Sequence, residues 1–196
     1  MPEPGPEPGH ATSRVVVWRR LDLPGQEWAQ LRDEPPHPSL AGSALLVHEG
    51  RPWRLDYAVR CDARWRTQSA SVSGWRGRER VLVELTVNDA GRWRLNGAEC
   101  PAVAGCVDVD FAFSPSTNLL PIRRLSLGVG DAGDVRAAWL RFPGLTLEPL
   151  EQRYSRTGAT SYRYESRGGT FTGELEVDEA GLVTRYADVW EAVGAA

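Results

Sequence analysis

Apolar side chains recur at every second position through most of this chain, and nowhere at the three-to-four-residue spacing of an amphipathic helix. In residues 53–61, Trp53, Leu55, Tyr57, Val59 and Cys61 fall on one side of an extended backbone, with Arg54, Asp56, Ala58 and Arg60 on the other. Val81, Val83, Leu85 and Val87 alternate in the same way with Leu82, Glu84 and Thr86. Phe171, Leu175 and Val177 alternate with Thr172, Glu174 and Glu176, and Gly173 falls on the apolar side, where a sheet bends. Turn residues punctuate these runs, as at Gly50 with Pro52, at Asn96 with Gly97, and at Asp178 with Gly181. About a dozen short strands at regular spacing predict an all-β fold, a strongly curved antiparallel sheet forming an incomplete β-barrel. Residues 65–72 make a weaker strand, and residues 187–193 are expected to form a last helical turn.

Residues 106–127 carry the most unusual chemistry. Val107, Val109, Phe111 and Phe113 alternate with Asp108, Asp110 and Ala112, a strand that puts two acids on one face. Pro115 and Pro121 then deny a ladder its donors, which predicts an ordered loop. Arg123 and Arg124 follow on a second strand, one to each side of the sheet. If Phe113 and Ile122 pair at the mouth of an antiparallel hairpin, Arg123 lies diagonal to Asp110. Such a cluster is either an ion pair bracing the loop or a polar group facing a ligand.

Cys106, Asp108 and Asp110, leading through Pro115, Thr117 and Asn118 into Leu120, Pro121, Ile122, Arg123, Arg124 and Leu125, resemble the most recognisable stretch of a bacterial family named for glycolipid binding. Ser116 stands where that pattern has an aromatic residue and Leu119 where it has threonine. The resemblance continues in Trp18, Arg19, Arg20, Leu21 and Asp22, in Gly91, Arg92 and Trp93, and in Arg153, Tyr154 and Tyr162, Arg163, Tyr164, Glu165 and Ser166, so that it spans roughly residues 16–193. It implies a fold similar to the open barrels of periplasmic lipoprotein carriers, which hold acyl chains in a concave sheet, and a glycolipid as ligand.

Composition narrows the picture. A chain of 196 residues fits one domain, residues 14–196, after a tail, residues 1–13, too rich in Pro, Glu and Gly to order itself. A net charge of -3 leaves no basic excess for nucleic acid. Every one of the 23 basic side chains is arginine, as codon usage in a GC-rich genome would produce. Three cysteines and three histidines lack metal or disulfide spacing, and no cofactor motif is present. Glycines 128, 130 and 133 match a dinucleotide fingerprint, but a strand follows them instead of a helix, so a hairpin turn is expected there. His37, between prolines, is expected to be solvent-exposed. With no signal-type apolar segment and no transmembrane run, the expected setting is the reducing cytoplasm. Oligomeric state is not encoded in any of these features.

For function, a carboxyl pair at Asp108 and Asp110, about 6 to 7 Å apart on a strand, sits at the lower edge of inverting glycosidases. Nearby arginines would keep both ionised, whereas acid catalysis needs one protonated. The expectation is therefore a non-enzymatic binder of an amphiphile, with Asp108, Asp110, Asn118, Arg123 and Arg124 at the polar end and Tyr57, Trp65 and Tyr162 as walls. Trp18, Trp93 and Trp139 are assigned to the core. Two alternatives are a protein-interaction module using the sheet edge and a carbohydrate-active hydrolase using the two aspartates.

Overall fold

Fifteen strands form one continuous sheet in the computed structural model, which describes residues 12–196. In chain order they are β1 (Thr12–Arg20), β2 (Gly25–Asp33), β3 (Ser39–His48), β4 (Arg51–Cys61), β5 (Thr67–Arg76), β6 (Glu79–Val87), β7 (Trp93–Leu95) and β8 (Ala98–Glu99). After β9 (Val109–Phe111) comes a short helix α1 (Leu119–Leu125), then β10 (Ala132–Leu140), β11 (Leu147–Arg156), β12 (Ser161–Ser166), β13 (Phe171–Val177), β14 (Val183–Tyr186) and β15 (Trp190–Ala195).

Neighbouring strands run from β8 at one edge down to β1, then to β15, and from there down to β9 at the other edge, so the sheet does not close. Every pairing is antiparallel except that of β9 with β10. The period-two pattern decides which face is covered: Trp53, Leu55, Tyr57, Val59 and Cys61 are all buried, as are Val81, Val83 and Leu85, while their alternates face out.

The concave side is filled. Residues 109–125 turn inward from the sheet edge and act as a plug, with Phe111, Phe113, Leu119 and Leu120 almost wholly buried in the same core cluster as Trp18, Leu55 and Val72. Phe111 and Phe113 stack with ring centroids 5.2 Å apart, and Tyr57 meets Phe111 edge-on at 5.4 Å. Thr67 at the start of β5 ties the plug to the far half of the sheet: its hydroxyl accepts from Val109 N–H at 3.0 Å and its own N–H donates to the Val107 carbonyl at 3.2 Å.

Several expectations are corrected. The strand at residues 106–113 shrinks to β9, and it pairs in parallel with β10, which the long crossover through α1 permits. Arg123 and Arg124 lie on α1, so the hairpin between Phe113 and Ile122 does not exist. Pro121 sits in the first turn of that helix, where its missing N–H has no intrahelical partner to lose, while Leu119, Leu120 and Ile122 supply the buried side. Ser126, with φ of 47°, caps the helix in the left-handed region and bonds Ile122 O. The glycine-rich segment at 128–133 is a turn from α1 into β10, so a strand does follow it, although it joins no hairpin. Trp65 lies in a turn before β5, and residues 187–193 enter β15 instead of a helical turn. β1 starts at Thr12, two residues inside the expected tail; the rest of that tail lies outside the described residues. His37 is exposed.

Candidate functional site

Glu27 is the polar side chain on which the interior turns. It shares the inward parity of Ala29 and Leu31 on β2 and is 1% exposed. Tyr57 on β4 reaches it across the intervening strand: the hydroxyl donates to Glu27 Oε1 at 2.5 Å. Gly42 on β3 makes this possible, since a Cβ there would stand 2.4 Å from the Tyr57 ring. From the plug, Ser114 Oγ donates to the same Oε1 at 2.5 Å, and Ser116 Oγ lies 2.8 Å from the Tyr57 hydroxyl. Burial pushes the Glu27 carboxyl up to about 8, against the lowering pull of Ser114, Tyr57 and Arg20.

Beside this cluster a pocket of about 270 Å³ opens between the plug and strands β10 to β15. Its non-aromatic polar groups are Arg20, Asp22, Asp110, Ser114, Asn118, Ser166 and Arg167. Phe111, Trp139, Tyr164, Phe171, Tyr186 and Trp190 form apolar walls. Arg20 lies 5.1 Å from the centroid of Trp190, and Arg167 lies 4.7 Å from that of Trp139. Asp110 accepts from Gln152 Nε2 at 2.7 Å, and the same amide donates to the Tyr164 hydroxyl at 3.0 Å. Burial, opposed by the Gln152 bond and helped by Asp108, lifts the Asp110 carboxyl to about 6. Asn118 spans the plug, accepting from Tyr154 at 2.9 Å and donating to the Pro115 carbonyl at 3.1 Å.

The eight residues singled out from the sequence are therefore divided. Asp110 and Asn118 reach the pocket. Asp108, 1% exposed, is held by both Nε and Nη2 of Arg124, at 3.0 and 2.6 Å. Burial raises its carboxyl and the Arg124 guanidinium pulls it back. Arg123 turns the other way, pairing with Asp33 and lying 4.7 Å from the Trp65 ring centroid. Arg123, Trp65 and Tyr162 line a separate cleft of about 770 Å³ near α1, where Arg156 lies over Tyr162. Tyr57 belongs to the buried cluster around Glu27. Trp18 and Trp93 are core residues, but Trp139, expected beside them, is a half-buried pocket wall.

Arg20 and Glu27 were legible only through parity. Arg20 follows Val16 and Trp18 on the inward side of β1, and Glu27 precedes Ala29 and Leu31 on β2; an ionisable residue on an apolar face is the signal that both carry. Among the described residues no group of three or more His, Cys, Asp and Glu could hold a metal ion, and no helix is long and apolar enough to cross a membrane.

An open, plugged antiparallel sheet with a small pocket of mixed polar and aromatic walls defines the class. Residues 15–192 match the family described as "Putative glycolipid-binding", and the chain belongs to that family. It is similar, at 34% identity, to a DUF1089 family protein from Pseudomonas aeruginosa known from its crystal structure, with a TM-score of 0.75 over 84% of this chain and 91% of that one. No curated protein matches the chain.

Proposed function

We propose that the protein binds, without chemical conversion, the polar head of an amphiphile, and that the head enters the pocket between the plug and β10 to β15. One observation carries this: Arg20, Asp110 and Asn118 meet six aromatic side chains around a single cavity, the mixture that an amphiphile's head and first methylenes need. Its volume, about 270 Å³, lies just under the usual range of roughly 300 to 1,000 Å³ for small-molecule sites, so a single ring fits and a pair of acyl chains does not. The sequence-based idea of chains lying along the concave sheet has less support, because the plug occupies that side.

Hydrolysis by the two aspartates has less support as well. Asp108 is committed to Arg124 and does not line the cavity that Asp110 lines, so the pair share no space for a scissile bond. Strand addition at the sheet edge would need free backbone groups, whereas β8 offers two residues and the three of β9 are engaged by β10 and Thr67. Three unpaired cysteines, two of them buried, suit a reducing compartment such as a bacterial cytoplasm.

Native mass spectrometry of the purified protein, followed by titration with a short-chain alkyl glycoside below its micelle concentration, tests the proposal. A co-purifying lipid or saturable binding that quenches tryptophan fluorescence is expected. Absence of both overturns it.

A further inference from the structure

Two opposite charges in this pocket are left without a partner. Arg20 and Asp22 neutralise each other through bonds of 2.7 and 3.2 Å, which leaves Asp110 and Arg167. Asp110 takes the Gln152 amide on Oδ2; its Oδ1 is unbonded and is not sealed from solvent, so it opens on the cavity that Asp110 lines. The charge that acts on this carboxyl is that of Asp108, of the same sign, and no arginine offsets it. Arg167 is exposed, meets no carboxylate among the described residues, and lies over Trp139 from a backbone held in the left-handed region, with φ of 52°. Trp139 stands between the two, since it is the register partner of Asp110 in the β9–β10 pair. Asp110 is the deeper charge and Arg167 the outer one. Tyr164, Phe171 and Tyr186 pack edge to face, with centroids 5.7 to 6.0 Å apart, into one wall of the same cavity, and the Asp110 charge acts on both tyrosines.

Resting on the binding function above, we propose that the pocket selects a zwitterionic head, with an ammonium group directed at Asp110 and the ring wall beside it, and an anionic group directed at Arg167. The charge count gives the reason. A carboxylate taken out of water with no cation beside it is costly, and burial accordingly lifts Asp110 to about 6; a ligand cation removes that cost. Aromatic rings next to a carboxylate add to the attraction, because their electron-rich faces favour a cation. An anion at the inner end is repelled by Asp110, whereas at the outer end Arg167 can grip it with two parallel N–H groups. A head that is only cationic leaves Arg167 unmet, one that is only anionic leaves Asp110 unmet, and an uncharged one leaves both. The combination of groups, and not the size of the cavity, is what makes the selection.

The experiment is calorimetric titration of the whole protein at pH 8.0, where Asp110 is ionised, with octylphosphocholine, octyltrimethylammonium, octyl phosphate and octyl glucoside, each below its micelle concentration, and with phosphocholine that carries no chain. Octylphosphocholine is expected to bind about tenfold more tightly than any of the other four. Asp110→Asn, which keeps an acceptor for Gln152, should weaken octylphosphocholine and octyltrimethylammonium by about tenfold and strengthen octyl phosphate. Arg167→Gln should weaken octylphosphocholine and octyl phosphate by about threefold and leave octyltrimethylammonium no weaker. This crossed pattern would not arise from two merely structural residues. If Asp110→Asn does not fold, as judged by its melting curve, Arg167→Gln at its exposed position and the order of the probes on wild type carry the test. Octyl glucoside binding as tightly as octylphosphocholine, or an octylphosphocholine affinity indifferent to both substitutions, overturns the zwitterion and leaves the amphiphile function standing. Chainless phosphocholine binding as tightly as its octyl ester overturns the amphiphile function and leaves the head assignment standing. If none of the probes binds, the zwitterion falls, and the amphiphile function falls with it unless a lipid co-purifies.

Discussion

Tyr57 lies across Gly42 to hydrogen-bond Glu27 at 2.5 Å, joining β4 to β2 over the strand between them. Ser114 and Ser116 fasten the plug to the same two side chains, so one buried carboxyl holds the sheet and its filling together.

That carboxyl makes stability depend on pH. Its proton affinity is higher folded, about 8, than its ordinary value of 4.5, so the folded state binds the extra proton and stability falls as pH rises through that window, by at most about 1.4 kcal/mol per pH unit. Asp110 adds the same sign of effect between 3.8 and about 6. Urea unfolding at pH 6.5 and pH 8.0 should show wild type losing about 1 to 2 kcal/mol, and Glu27→Gln losing nearly none. An equal loss in the variant would place the titration elsewhere.

The adjacent arginines should behave differently. Arg124→Ala strands a buried Asp108 and should cost about 3 kcal/mol, partly recovered when Asp108→Asn is added. Arg123→Ala removes a pair with Asp33 whose side chains are 32% and 27% exposed, and should cost less than Arg124→Ala, about 1 kcal/mol. Denaturant titrations of the three variants suffice, and equal costs for the two arginines would contradict the burial difference.

Gly42→Ala would set a methyl 2.4 Å from the Tyr57 ring and 2.7 Å from the Trp28 carbonyl. A loss of about 1 to 3 kcal/mol is expected. Adding Tyr57→Leu should not double the loss, because one clash then disappears; simple additivity in this cycle would show that the ring does not lie over β3.

The thiols should separate by reactivity. Burial, with Asp108 and Asp62, pushes Cys61 up to about 12, and burial raises Cys106, while Cys100 is half-exposed. A disulfide-exchange reagent on native protein should therefore modify Cys100 quickly and the other two only on unfolding. Mass mapping of the labelled peptides checks this.

The fold was legible where one face of a strand meets oil and the other meets water, as in β4 and β6, because that contrast writes itself into the sequence with a period of two. It was illegible in residues 106–127, which are buried on nearly every side. There the apolar residues of helix α1 are too few for a helical period, and Pro121 suggested a broken ladder when it marks a helix start. From the segment that carries the family resemblance, Asp110 and Asn118 reach the pocket, whereas Asp108, Arg123 and Arg124 do not line it. Glu27 escaped notice because its partners come from β4 and the plug, contacts that no local pattern encodes, and Arg20 because its pairing with nearby Asp22 resembles an ordinary surface ion pair.

The position of β15 has a consequence for how the molecule is made. This strand sits mid-sheet, between β1 and β14, and Val15 and Ala196 exchange backbone hydrogen bonds at 2.8 and 2.9 Å. A growing chain halted before Trp190 thus holds two separate half-sheets, each with a raw flank that will become the centre of the finished molecule. Only β15 pairs with strands of both halves, so the seam at the middle of the sheet is closed by the strand that follows all the others in the chain.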